Sequence, residues 1–251
     1  MAVQKNKINL TNVSKAFATK DKTVQVLKGI SLDVCENEFL VILGPGQCGK
    51  TVLLNIIADL ESMTSGEIQF ASGKPKMGQL GVVFQRYALF PWKSVMGNVE
   101  MNPKLKGVDK RTRRELAQKY IDLVGLAGYE NALPQQLSGG MKQRVGIARA
   151  YASESDILLM DEPFGALDAQ TRYQMQAEIL NIWERKKRTV LFVTNNIEEA
   201  IFLGDRIILL GGTPTSVKKE YVPDLPRPRS YTDAGFYALR SEIAANTDLA
   251  L

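Results

Sequence analysis

The sequence predicts an α/β fold with a largely parallel sheet, an antiparallel β layer and a helical insertion. Three observations predict it. First, FLVILG (Phe39–Gly44), LGVVFQ (Leu80–Gln85), DILLMDE (Asp156–Glu162) and TVLFVT (Thr189–Thr194) are apolar runs bounded by turn or polar residues. Strands covered on both faces read this way. Second, these runs alternate with segments of helical period, as in a parallel sheet joined by helical crossovers. Third, KINLTNV (Lys7–Val13) and VQVLKGISLDV (Val24–Val34) alternate more, the mark of an antiparallel layer.

The remaining elements follow in chain order. TVLLNIIADL (Thr51–Leu60) reads as a helix entered from the first buried run. Between Ser94 and Pro134 the pattern turns to helical periodicity with charge clusters, which predicts a helical insertion. LSGGMKQRVGIARA (Leu137–Ala150) places a serine and two glycines directly before another helix. TVLFVT stops at Asn195 and Asn196 and restarts as a charged amphipathic segment: a strand, a polar switch, then a helix. Past Gly211, VPDLPRPRS is too proline-rich for a core strand, and a short helix is expected over Thr232–Ala245. There is no internal repeat and no low-complexity segment.

The chain has 251 residues, 45% of them hydrophobic, enough to bury a substantial core as one domain or one domain with an insertion. No run approaches the ~18 apolar residues of a membrane span, and MAVQKNKINLTNV lacks the apolar stretch of a signal peptide. Two cysteines, Cys35 and Cys48, make no disulfide framework and suit a reducing cytoplasm. The net charge of +5 is compatible with an anionic small ligand, a lipid surface or nucleic acid, and chooses none of them.

Three motifs carry chemistry. GPGQCGKT (Gly44–Thr51) follows a strand and opens a helix, the setting in which backbone N–H groups wrap phosphates. Lys50 would reach the β- and γ-phosphates of ATP and Thr51 would hold Mg²⁺; the bland alternative is a glycine-rich turn. ILLMDEP (Ile157–Pro163) ends an apolar strand in two carboxylates. Alone this is a solvated strand end; with a phosphate loop, Asp161 points to the Mg²⁺ shell and Glu162 to the water attacking the γ-phosphate. LSGG is a second anion-binding helix terminus. One nucleotide has no need of two such termini on one subunit, so the second is expected to serve the nucleotide of another subunit.

The phosphate loop, Gln85 at a strand end, LSGGMKQR, LLMDEPFGALD and a switch loop stand in the order found in ABC transporter ATPase subunits. The chain resembles that family from about Ile8 to Leu210. The resemblance implies an ABC-type P-loop NTPase with a RecA-like core, an antiparallel β subdomain and an inserted helical subdomain. Its nucleotide-binding domain would span 1–211, the helical subdomain about 94–140, and a short C-terminal extension 212–251. It implies a homodimer or heterodimer of ATPase subunits holding two ATP molecules, each between one phosphate loop and the other subunit's signature. By the same resemblance Phe17 stacks on adenine, unless it is a core aromatic. Gly44, Gly46, Gly49, Lys50 and Thr51 hold the phosphates, and Gln85 senses Mg²⁺ and the attacking water. Ser138, Gly139 and Gly140 address the partner's γ-phosphate, and Asp168 of GALD communicates across the dimer.

The chain departs from the family pattern at several positions. Gly46 and Gln47 replace Ser-Gly, so the loop must accommodate the Cβ of Gln47. Val52 replaces a hydroxyl residue that touches the α-phosphate. Thr194-Asn195-Asn196 stands where Thr-His-Asp is usual, and the chain has no histidine at all. Asparagine keeps an N–H donor but is shorter and cannot become cationic. Losing one well-placed donor to developing charge costs about a hundred- to a thousandfold in rate. With Glu162 retained, the expectation is slowed hydrolysis. The competing reading is a hydrolysis-impaired regulatory ATP-binding subunit.

A soluble ABC protein acting on ribosomes or DNA fits less well, because no second cassette and no long coiled coil occurs in the chain. The basic run Lys104–Lys119 reads as a solvated helical face, and no nucleic-acid partner is expected. FQRYALFPWKSVMGNV (Phe84–Val99) offers Phe90 and Trp92 as anchors. In the family this surface receives membrane-spanning permease subunits, placing the contact over Gln85–Val99; internal packing of Trp92 is the alternative. This stretch and the tail LPRPRSYTDAGFYALRSEI resemble nitrate, sulfonate and taurine importer ATPases. They imply uptake of a small solute with the help of a solute-binding protein, and a cytoplasmic location on the inner face of the cell membrane.

Overall fold

The computed structural model describes residues 5–18, 22–75 and 79–247. They divide into two compact units, one running to Pro75 and resuming at Thr189, the other ending at Arg188. The first unit opens with β1 (Asn6–Ala18), β2 (Thr23–Cys35), β3 (Phe39–Leu43), α1 (Lys50–Ile57) and β4 (Ser65–Phe70). The second holds β5 (Leu80–Val83), α2 (Val95–Val99), α3 (Met101–Leu105), α4 (Lys110–Leu123), a 3-10 turn at Pro134–Gln136, α5 (Gly139–Ala152), β6 (Ile157–Asp161) and α6 (Ala169–Arg185). The chain then completes the first unit with β7 (Thr189–Thr194), α7 (Ile197–Leu203), β8 (Arg206–Gly211), β9 (Ser216–Tyr221) and α8 (Ala234–Ala245).

In the first unit every residue of β3 and β7 is buried, which explains the absence of alternation in FLVIL and TVLFVT. β3 lies between β7 and β8 and is parallel to both: Phe39 faces Val190, Leu43 faces Thr194, and Leu40 faces Arg206. β9 adds an antiparallel edge to β8. Parallel register brings the carboxyl ends of β3 and β7 together, and the Gly44 N–H donates to the Thr194 carbonyl at 3.4 Å. Open α/β sheets bind their ligands at such an edge.

A separate antiparallel sheet runs β2–β1–β4, with Ile8, Leu10 and Val13 of β1 buried. Its third strand was not foreshadowed, because SGEIQF places only Ile68 and Phe70 even half out of solvent. Helix α1 starts one residue earlier than expected and stops at Ile57 instead of reaching Leu60. Asp59 takes a left-handed conformation (φ 60), and the Leu60 N–H turns back to the Asn55 carbonyl at 2.9 Å.

In the second unit β5 and β6 pair in parallel, Leu80 against Ile157 and Val83 against Met160. The helical insertion resolves into three helices and a 3-10 turn, interrupted where Gly107 and Gly125 turn left-handed (φ 78 and 67). Asp109 caps α4 by accepting from the Arg111 and Thr112 N–H groups, and Ala117, Tyr120 and Ile121 form its buried face. Arg114 and Lys119 are exposed, as a solvated basic face requires, whereas Arg113 of the same run is half-buried and pairs with Glu100 at 3.4 Å. Among the described residues no helix is long and apolar enough to cross a membrane.

Candidate nucleotide-binding site

The phosphate loop, residues 44–49, joins β3 to α1. Gln47 sits at φ 62 and Gly49 at φ 100. The Cβ of Gln47 is therefore carried in a left-handed conformation, at a cost of about 1–2 kcal/mol relative to glycine. Gly49 has no such latitude: an added Cβ would lie 2.8 Å from Val26 Cγ1 and 3.0 Å from Leu27 Cδ2. The Lys50 side chain is 4% exposed and its ammonium donates to the carbonyls of Gly44 (2.9 Å) and Pro45 (2.7 Å). A phosphate on this loop meets a cation already aimed along it. Thr51, one residue on, is exposed.

Sequence reasoning missed the residue that pins this loop from outside. Thr215 is buried; its hydroxyl donates to the Cys48 carbonyl and to the Gly212 carbonyl (3.2 Å), while its backbone pairs with Val26 and Lys28 of β2. Nothing local in GGTPTSV announces this contact. Phe17, at the end of β1, is half-buried, and the Lys15 ammonium lies 4.7 Å from its ring centroid. Lys15 is held there by the Glu61 carboxylate (2.7 Å) and the Ser62 carbonyl (2.6 Å).

At the neighbouring strand end, Asn195 is exposed and Asn196 begins α7. A small network fixes this turn. The Thr194 hydroxyl donates to the buried Glu199 carboxylate at 2.6 Å and accepts from the Asn196 N–H at 3.0 Å. The Asn196 side-chain oxygen in turn caps α7 by accepting from the Glu199 N–H at 2.9 Å. Asn195 is thus the free arm of a tightly held turn.

The second unit carries the acidic residues. Asp161, 3% exposed, closes β6, and Glu162 follows at φ 43, half-buried. Gln85 leaves β5 beside it and donates its side-chain amide to the Glu162 carboxylate at 3.3 Å. The amide so oriented spends an N–H donor on Glu162, and the Gln85 side-chain oxygen is an acceptor. Ser138 is exposed at the start of α5, its hydroxyl accepting from the Met141 N–H at 3.2 Å. Gly139 abuts the Tyr87 hydroxyl, which would stand 2.7 Å from an added Cβ, and Gly140 lies against Leu167. Asp168 caps α6 by accepting from the Thr171 N–H at 3.0 Å, and that bond holds its carboxyl below the usual carboxylate range.

The same unit presents the aromatic loop. Trp92 is 73% exposed, so internal packing does not account for it, and its ring sits 5.8 Å from that of Phe90. Asn98, fully buried, organises this loop. It accepts from the Phe90 N–H (2.8 Å) and donates to the carbonyls of Phe90, Lys93 and Ser94 (3.2, 3.0 and 3.0 Å). Its role was invisible in the sequence, where it reads as one more polar residue of a helix.

A phosphate loop on a parallel sheet edge, together with a buried strand ending in Asp-Glu, defines a P-loop nucleotide-binding ATPase. The family described as "ABC transporter" matches residues 27–165, and the chain belongs to it. It is 48% identical over 242 residues to an uncharacterized ABC transporter ATP-binding protein of Methanocaldococcus jannaschii, covering 95% of this chain and 90% of that protein. It is 41% identical over 239 residues to an aliphatic sulfonates import ATP-binding protein of Bacillus cereus, covering 94% of each. Among solved structures it is similar to a dimeric ATP-binding cassette in a post-hydrolysis state with ADP and Pi. There the TM-score is 0.77 at 32% identity, over 86% of this chain and 98% of the other. The ABC-type cassette fold and the nucleotide-binding class expected from the motifs therefore hold.

Proposed function

We propose that this chain is the ATP-hydrolysing subunit of an ABC importer. The retained Glu162 carboxylate, at the end of a wholly buried strand and bonded to Gln85, carries the reading. Gly44, Gly46, Gly49 and Lys50 bind the phosphates, Phe17 stacks on adenine, Glu162 orients the attacking water, and Asn195 donates an N–H to the γ-phosphate. Ser138, Gly139, Gly140 and Asp168 serve the nucleotide of a second ATPase subunit. The similarity to a dimeric cassette supports that division of labour.

Mg²⁺ fits the residues proposed for it: Thr51, Gln85 and Asp161 offer hard oxygen donors only. No group of three or more His, Cys, Asp or Glu suited to a metal occurs among the described residues. Mg²⁺ in nucleotide sites is held by few protein ligands, with phosphate oxygens and waters completing its shell. When bound, the ion neutralises charge on the transferring phosphoryl group. ATP closes the subunit pair; attack of water on the γ-phosphate releases ADP and phosphate and lets the pair reopen.

The likeness to an aliphatic sulfonates import protein supports a sulfonate-like solute; the nitrate- and taurine-like alternatives, the solute-binding protein and the separate membrane subunits rest on the motif resemblance. Trp92 and Phe90, presented on a loop braced by Asn98, suit docking of those subunits over Gln85–Val99 at the inner face of the membrane. The test is the association state of Glu162→Gln in sedimentation. With ATP and Mg²⁺ this variant is expected to accumulate as a dimer. A variant that binds ATP and stays monomeric overturns the two-subunit arrangement.

A further inference from the structure

Helix α7 has only seven residues, six of them buried, so its contacts rather than its own helicity hold it in place. Its amino end is fixed by the Thr194–Asn196–Glu199 network. Its carboxyl end is fixed by the proline-rich tail. Arg229, 7% exposed, donates through one terminal nitrogen to the carbonyls of Ile201 and Gly204 (2.6 Å to the latter), and its Nε donates to the Leu225 carbonyl at 3.2 Å. Arg227 donates to the Leu203 carbonyl and pairs with Asp205, whose other oxygen accepts from the Phe39 N–H at 2.9 Å, at the start of β3. Two guanidinium groups thus satisfy carbonyls that the last turn of a helix leaves open, on the end where the helix dipole favours cations.

The tail also grips the side of the helix. Tyr231 stacks on Phe202 with ring centroids 5.1 Å apart and planes 3° from parallel, and Phe236 of α8 packs edge-on against Tyr231 at 5.1 Å. Arg240 of α8 pairs with Glu198 at 3.1 Å, in the first turn of α7. Burial pushes the Arg229 guanidinium down to about 10, which still leaves it cationic at neutral pH. A buried cation directed at helix carbonyls is an expensive device for filling space, which an apolar side chain would do better.

We propose that Arg229 is a positioning residue for Asn195: through α7, the tail sets where the switch amide points and thereby the rate of ATP hydrolysis. The helix spans about 10 Å, so its two anchors lie one short helix apart, and loosening the carboxyl anchor leaves the Thr194–Asn196–Glu199 network alone to set the turn. The inference rests on the reading that Asn195 donates to the γ-phosphate. It assigns a catalytic consequence to a segment remote from the nucleotide motifs in sequence.

The test is a double-mutant cycle on the chain, with phosphate release from Mg-ATP as the readout. Arg229→Met, which keeps length and removes the donors, is expected to lower kcat about ten- to a hundredfold, the order that an ångström-scale misplacement costs. KM for ATP is expected to stay within about twofold, because only a transition-state contact is lost. In an Asn195→Ala background the same change is expected to alter kcat by less than about twofold. Arg229→Lys, with one donor group retained, is expected to recover part of the loss. Should Arg229→Met fail to fold, Tyr231→Leu loosens the same grip by removing the ring on Phe202. An unchanged kcat, or equal losses in both backgrounds, overturns the positioning role while leaving the role of Asn195 standing. An Asn195→Ala variant as fast as the parent overturns the reading of Asn195 and the inference with it.

Discussion

Thr194→Val is the most informative single perturbation of the switch turn. Valine has nearly the shape of threonine, so the loss is the hydroxyl alone. That hydroxyl donates to Glu199 at 2.6 Å and accepts from the Asn196 N–H at 3.0 Å. Thr194 is 2% exposed and Glu199 6%, so water does not replace the bond between them. A hydrogen bond to a charged group contributes about 1.5–3 kcal/mol and a neutral one about 0.5–1.5, which predicts a loss of roughly 2–4.5 kcal/mol. For a chain of this size each kcal/mol lowers the thermal midpoint by about 2–4 °C. The assay is urea unfolding followed by a thermal scan, with an unchanged m-value identifying a true stability change. Thr194→Ser keeps the hydroxyl and is expected to retain most of the stability. A Thr194→Val loss below about 0.5 kcal/mol would refute the reasoning, because a buried pair of that kind cannot be silent.

Two further predictions follow from local geometry. Gly49→Ala adds a Cβ 2.8 Å from Val26 Cγ1 in a left-handed residue, and is expected to abolish ATP binding; nucleotide titration of the folded variant checks it. The Lys15 ammonium, and after it the Ser62 N–H, hold the Glu61 carboxyl below its ordinary value of 4.5. A depressed folded value means stability that is present above the unfolded pKa and lost as pH falls through the folded one. Acid unfolding monitored below pH 4.5 should therefore be shallower in Glu61→Gln than in the parent, and the variant should be the less stable at neutral pH.

The parts legible in the sequence were those written in contiguous residues. Four apolar runs gave four strands: β3, β6 and β7 are buried along their whole length, as expected, whereas β5 alternates half-buried and buried positions. GPGQCGKT and ILLMDEP were legible in the same way: the structure places them in the loop from β3 to α1 and at the end of β6, as their residue patterns predict. What escaped depends on partners distant in the chain. Thr215 bonds to Cys48, Arg229 to Ile201 and Gly204, and Asn98 to a loop that its own helix follows. In each case a common polar residue gains its role from which carbonyl the fold brings to it. Strands β4 and β9 were missed for another reason: most of their side chains are exposed, so neither carries the apolar pattern that marks a strand. Gln47 is instructive in the opposite sense. Its Cβ predicted a conformational difficulty, and the left-handed backbone at φ 62 is where that difficulty resides.

The central claim is that Glu162 and Asn195 together sustain ATP hydrolysis in a chain without histidine. Steady-state phosphate release by the parent, Glu162→Gln and Asn195→His, at saturating Mg-ATP, tests it most directly. The account predicts turnover in the parent well above Glu162→Gln, and a further rise in Asn195→His that measures the missing imidazole. Parent turnover equal to Glu162→Gln, with ATP demonstrably bound, would contradict the account and leave a regulatory subunit that needs an active partner.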